Sequence, residues 1–138
     1  MIIKTVVDTN ILVSGLGNPS GAPAKLLLRW SDAQFVLLFS EPIIEEYSSI
    51  LLNHPKVPTE KAGAFLKELA EVAENVPISE TLNVCKDPSD NVFLETAIDE
   101  NARYLVTQNI KHFPFKRYQQ VEIVRVSRFL SRLEKEFG

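Results

Sequence analysis

Four short polar clusters follow apolar runs in this chain, and three of them carry carboxylates. They are Asp8-Thr9-Asn10 after IIKTVV, Glu45-Glu46 inside SEPIIEEYSSILL, Asp87-Pro88-Ser89-Asp90 before NVFLETAIDENA, and Thr107-Gln108-Asn109 after YLV. Carboxylates gathered at one place repel each other, which is destabilising unless a cation sits among them. The chain has one cysteine, Cys85, and two histidines, His54 and His112, so a zinc-type set of soft ligands is not at hand. An oxygen-only set selects Mg²⁺ or Mn²⁺. Such a cation suits phosphates, and the chemistry that follows is hydrolysis of a phosphodiester bond.

Each acid taken alone has a plainer explanation. Asp8 or Asn10 can cap the helix that starts near Ile11. Pro88 at a first helical position makes Asp87 a natural cap and Asp90 its first-turn companion, both favoured at the positive helix end. Glu46 is in keeping with an ordinary boundary residue. The joint pattern decides the matter. If the preceding runs are parallel strands, all these positions fall at one edge of a sheet, where open α/β sheets bind ligands.

The elements that must position them can be read in order. Ile2 to Val7 is a β-branched run of the kind buried on both faces of a parallel sheet. Gly15 to Pro23 (GLGNPSGAP) reads as a turn-rich surface loop, and it is no phosphate loop because no Gly-Lys-Ser/Thr follows. A helix over Ala24 to Trp30 and a strand over Phe35 to Phe39 come next. Ser40 caps a helix with Pro42 in its first turn and Ile43, Ile44, Tyr47, Ile50 and Leu51 as its buried stripe. At about 100° per residue, Glu46 flanks that stripe and Glu45 lies nearly opposite it. Thr59 to Asn75 forms an amphipathic helix with Thr59 as its cap. Val76 to Ser79, or alternatively Leu82 to Cys85, is a short strand, with Cys85 a small buried apolar residue. After the helix from Asn91 come the strand Tyr104 to Val106, a basic and aromatic loop over Ile110 to Tyr118, the strand Val121 to Val126, and a last helix capped by Ser127. Alternating strands and helices predict an α/β fold with a mainly parallel sheet, in one domain.

Composition narrows the classes. The 138 residues are 45% hydrophobic with a net charge of −3, so nucleic acid binding would rest on a local patch rather than on the overall field. No apolar run approaches the roughly 20 residues that cross a bilayer, and the N-terminus has no cleavable leader pattern. The expectation is a cytoplasmic protein.

The segments VVDTNILVSGL, SEPIIEEYSSIL, DPSDNVFLETAIDENARYLVT and TQNIKHFP, in this order and spacing, resemble a PIN domain. The likeness is closest to the small prokaryotic VapC-like toxins of toxin–antitoxin pairs and runs from Ile3 to about Val126. It implies a three-layer α/β/α sandwich with a mainly parallel central sheet over a single domain, residues 1–138. It also implies an Mg²⁺- or Mn²⁺-dependent ribonuclease. Carried over by position, Asp8, Glu46 and Asp90 match the catalytic acids, with Asp8, Asp90 and the additional Asp87 toward metal. Glu45 is the substitute for Glu46 if the helix register differs by one. One departure stands out: where the family often has Thr-Gly-Asp, this chain has Thr107-Gln108-Asn109, and the Asn109 amide brings no charge. An antitoxin partner and a homodimer are further implications of the resemblance.

Within this reading Asp8 and Asp90 hold the cation, Glu46 aids it or orients the attacking water, and Thr9, Asn10, Thr107 and Asn109 support the site. Lys111, His112, Lys116 and Arg117 are candidates for RNA contact, interleaved with Phe113, Phe115 and Tyr118. The plainer account of that loop is a solvated connection with its aromatics tucked inward. A rival class is a PIN fold that binds RNA or protein without cleaving. An aspartyl-nucleophile phosphatase fits poorly, because it wants a second Asp two residues after the first and position 10 is Asn.

Overall fold

The computed structural model describes residues 2–79 and 81–138. The four apolar runs form strands: β1 (Lys4–Val7), β2 (Val36–Phe39), β4 (Tyr104–Val106) and β6 (Val121–Val124). Two-residue strands β3 (Glu74–Asn75) and β5 (Arg117–Tyr118) complete a six-stranded sheet of order β3-β2-β1-β4-β6-β5. All pairings are parallel except β5 with β6. Nearly every residue of the four longer strands is buried, as expected where helices cover a parallel sheet.

Helices α1 (Thr9–Gly17), α2 (Ala22–Ser31), α3 (Glu41–Leu51), α4 (Thr59–Val72), α5 (Asn91–Asp99) and α6 (Val126–Phe137) flank the sheet, and a 3₁₀ turn (Pro88–Asp90) leads into α5. Phe129 of α6 meets Phe35 and Tyr104 edge-on at centroid distances of 4.9 and 5.6 Å, fixing α6 against β4. The strand order reverses direction at β1, with β2 on one side and β4 on the other. The crevice beyond the carboxyl ends of β1 and β4 is therefore the switch point where such sheets bind ligands.

Several local expectations change. The loop between α1 and α2 is only residues 18–21, because Gly15 and Gly17 belong to α1. These glycines serve close approach. A Cβ on Gly15 would lie 2.7 Å from Leu27 Cδ1, and one on Gly17 would lie 2.8 Å from the Lys56 carbonyl oxygen. Neither Val76–Ser79 nor Leu82–Cys85 forms a strand. Helix α4 instead ends at Val72, and Glu74 and Asn75, expected in that helix, pair with Leu38 and Phe39. The pairing extends through Val76 N–H to the Phe39 carbonyl (2.7 Å) and stops at Pro77, which has no N–H to give.

The expected caps also differ. Ser40 stands at the N-cap position of α3, but its hydroxyl accepts from Thr96 Oγ1 at 2.8 Å and makes no capping bond. Thr59 and Ser127 lie inside their helices, with Pro58 and Arg125 at the N-cap positions. The strand expected to reach Val126 ends at Val124. The segment Ile110 to Tyr118 holds a 3₁₀ turn and β5 rather than a plain loop.

Candidate active site

Asp8 is the first residue after β1 and Thr107 the first after β4, and the last residues of those strands, Val7 and Val106, are register partners. Asp8 N–H continues the pairing to the Val106 carbonyl (2.9 Å). The two side chains are thus forced together across the switch point, and Thr107 Oγ1 donates to Asp8 Oδ2 at 2.8 Å. The Asn109 N–H donates in turn to Thr107 Oγ1 (3.0 Å), so the β4 exit loop folds back and orients the hydroxyl. Asp8 occupies the N-cap position of α1 without a side-chain capping bond. Its carboxylate is committed to the crevice.

Helix α3 follows the neighbouring strand β2 and carries Tyr47 fully buried, its hydroxyl donating to the Val7 carbonyl at the end of β1. Burial, and after it the charges of Asp8 and Glu46, push the Tyr47 phenol well above its usual range, so it stays a neutral donor under the site. The same register sets Glu46 toward the crevice, where it accepts from the Thr9 hydroxyl, while Glu45 is exposed to water. The position expected from helical geometry is the one occupied.

Asp90 arrives through the 3₁₀ turn. Asp87 caps that turn as expected, accepting from Ser89 N–H (3.0 Å) and Ser89 Oγ (2.8 Å), and these bonds hold its carboxyl below the usual carboxylate range. Asp90 is buried, and its Oδ2 has no hydrogen-bond partner. Its carboxyl is pushed above the usual range, first by burial and then by the charge of Asp8. His112 Nδ1 stands 3.4 Å from the same oxygen.

The residues converge on one small cavity of about 180 Å³. Asp8, Thr9, Asn10, Glu46, Asp87, Asp90, Asn109 and His112 all line it, together with Ile50, Ser89 and Phe93. Lys111 is exposed outside it, and Lys116 and Arg117 line a separate cavity, so the four basic candidates do not act as one group. The aromatics of that loop turn inward: Phe113 is buried, and Phe115 packs on Tyr118 with ring centroids 4.9 Å apart.

Among the described residues, no three His, Cys, Asp or Glu side chains already stand as a closed ligand cage. The donor chemistry nevertheless fits a hard divalent cation of the kind that takes one or two carboxylates and keeps its waters. Asp90 Oδ2 is a buried oxygen without a hydrogen-bond partner, burial and then the charge of Asp8 raise its carboxyl, and the cavity presents oxygen donors.

Asn91 was given no role by the sequence pattern. Its buried side chain accepts from the N–H groups of Val84 (3.1 Å) and Cys85 (3.0 Å), pinning the segment that leads into Asp87 and Asp90. An amide in the first turn of a helix, directly after a candidate ligand, was the available signal. Cys85 is buried as expected, and burial followed by the charges of Asp90, Asp87 and Glu95 pushes its thiol up to about 11. A thiol so held is unreactive.

A mainly parallel sheet with acids beyond the carboxyl ends of its strands is an α/β architecture that places a ligand site at its switch point. The chain belongs to the PIN domain family, whose profile matches residues 4–111. It is 30% identical over 105 residues to the uncharacterized protein MJ1680 of Methanocaldococcus jannaschii, which spans 72% of this chain and 67% of that protein. Its fold is similar to that of VapBC2 from Rickettsia felis bound to a DNA fragment from their promoter, with a TM-score of 0.60 and 20% identity over 89% of this chain and 98% of that one. It is also similar to VapBC-1 from nontypeable Haemophilus influenzae, with a TM-score of 0.58 and 16% identity over 91% and 99% of the two chains. No helix of the described residues is long and apolar enough to cross a membrane.

Proposed function

We propose that this chain is a metal-dependent endoribonuclease using Mg²⁺ or Mn²⁺, acting as the toxin of a toxin–antitoxin pair. The observation that carries the reading is the pairing of two buried carboxylates, Asp8 and Asp90, at the sheet's switch point, one of them with an orphaned oxygen. Asp8 and Asp90 would hold the cation, and Asp87 at the rim would add charge. When bound, the cation supplies a nucleophile at neutral pH and neutralises charge developing on the phosphate. Thr107 fixes the Asp8 carboxylate in one orientation, and Thr9 does the same for Glu46. Glu46 then accepts a proton from, and orients, the water that attacks phosphorus. Membership of the PIN family and the fold shared with VapBC proteins support the toxin role and an antitoxin partner; a homodimer and a cytoplasmic location belong to the same proposal.

Asn109 favours a second reading, a PIN fold that binds RNA or protein without cleaving, because the cavity wall it lines carries an amide rather than a carboxylate. One assay separates the two. RNA cleavage is measured with Mn²⁺ or Mg²⁺ for the wild type, Asp8→Asn and Asp90→Asn. Metal-dependent cleavage lost in both variants supports the enzyme. Retained RNA binding with no cleavage by the wild type supports the module.

A further inference from the structure

A second cavity is larger than the acidic one. A groove of about 580 Å³ lies against the β5–β6 hairpin and the start of α6, and Lys116, Arg117, Arg125 and Arg128 line it opposite a single acid, Glu122. Ile110, Ile123 and Val124 also line it and give it an apolar component. In a chain of net charge −3, four cations facing one acid form a local reversal of the overall field. The groove continues along α6, where a smaller cavity shares Glu122 and Arg128 and adds Arg132 and Lys135.

Two features tie this groove to the acidic site. Asn109 lines the acidic cavity and Ile110, the next residue, lines the basic one, so a single step of the chain separates their walls. Arg125 Nη1 donates to the Gln108 carbonyl at 2.9 Å, which fastens the groove to the same exit loop that orients Thr107. Glu122 holds Arg117 (3.0 Å) and Arg128 (3.2 Å) from both sides, and both guanidinium groups remain largely exposed. Surface pairs of this kind contribute little and exchange readily for another anion.

Resting on the ribonuclease reading, we propose that this groove binds the sugar–phosphate backbone of single-stranded RNA next to the scissile bond. Cations at groove width with an apolar component suit phosphates and an unstacked base together, whereas the acidic cavity repels the same strand without its cation.

The test is binding of a fluorescein-labelled RNA oligonucleotide by the full chain in EDTA, where no cleavage competes. Lys116→Ala combined with Arg128→Ala is expected to weaken binding about tenfold and to flatten the salt dependence by about 1.4 in log–log slope, the loss of two single-strand phosphate contacts. Glu122→Gln is expected to tighten binding a few-fold, a gain that damage to the fold would not produce. Arg128→Lys keeps the charge and retains binding. Wild-type affinity and slope in the double variant, with no gain from Glu122→Gln, would overturn the proposal. So would a poly-glutamate chain of matched charge that binds as tightly as RNA and is lost equally in the double variant, since the groove would then suit an acidic protein segment. Because binding is read without metal, its failure is distinct from a failure of cleavage in the Asp8→Asn comparison.

Discussion

Thr107 Oγ1 donates to Asp8 Oδ2 at 2.8 Å while accepting from the Asn109 N–H at 3.0 Å, so one buried hydroxyl joins the ends of β1 and β4. This bond sits on the seam where the sheet reverses order, and it orients the Asp8 carboxylate. Thr107→Val keeps the shape but leaves a backbone N–H and a carboxylate oxygen without their partner. The expected cost is about 1–3 kcal/mol in denaturant unfolding. Mn²⁺-dependent turnover is expected to fall about tenfold or more, as for other groups that orient a metal-binding carboxylate. Thr107→Ser should retain most of both. Turnover unchanged in the valine variant would mean that Asp8 needs no orientation.

Asp90 gives a pH signature. Its folded-state carboxyl is raised above the usual range by burial and then by Asp8. An acid raised in the fold keeps a proton that the unfolded chain releases. Stability therefore falls as pH rises from the unfolded value of about 4 through the folded one, and the full penalty persists above that. Asp90→Asn removes the penalty. In EDTA at pH 7 its Tm is expected to exceed wild type by about 2–5 °C. The gain should vanish below about pH 4, where both forms are neutral. Added Mn²⁺ should raise the wild-type Tm and leave the variant unmoved. A wild-type Tm above the variant's in EDTA at neutral pH would contradict this account of the buried charge.

What was legible in the sequence was local. The four longer strands are nearly continuous apolar runs, and Val7, Phe39 and Val106 end them where the pattern changes to polar. Strands β3 and β5 escaped notice because two residues carry no periodicity. Their existence depends on Phe39 and Val121 offering an edge, which no local window contains. Two of the expected caps failed for a similar reason. Ser40 and Asp8 are good capping residues, but Thr96 and Thr107, distant in sequence, claim their side chains. The meeting of Asp8, Glu46, Asp87 and Asp90 at one cavity was legible because chain direction in a parallel sheet brings the strand exits to one edge. The basic groove was half legible: Lys116 and Arg117 stood in a basic loop, whereas Arg125 and Arg128 join them only through the β5–β6 hairpin and the start of α6.

The two glutamates of α3 separate by register. Glu46 lines the acidic cavity and accepts from Thr9, while Glu45 faces water. Glu45→Gln is expected to leave turnover within about twofold and stability within about 0.5 kcal/mol, as for other surface changes. Glu46→Gln can still accept the Thr9 hydrogen bond but can no longer take a proton from water, so turnover should fall by about 100-fold while Tm holds. Steady-state cleavage of a short RNA by both variants reads the difference. Equal losses would place the chemistry on the opposite side of α3.

Asn109 offers the sharpest probe of the cation. Its backbone N–H holds Thr107 Oγ1, and that bond survives any change of its side chain. Asn109→Asp therefore alters the charge lining the cavity and little else. Without metal, a further carboxylate beside Asp8 and Asp90 adds like-charge repulsion, and Tm in EDTA should drop by about 2–5 °C. With Mn²⁺ the same charge becomes a gain: affinity read by calorimetry should rise about tenfold, and the Tm deficit should reverse at saturating metal. The opposite signs in the two conditions exclude a general effect on packing, which would shift both the same way. If Mn²⁺ affinity does not change, side chain 109 does not face the cation, and the natural asparagine is then no handicap to cleavage.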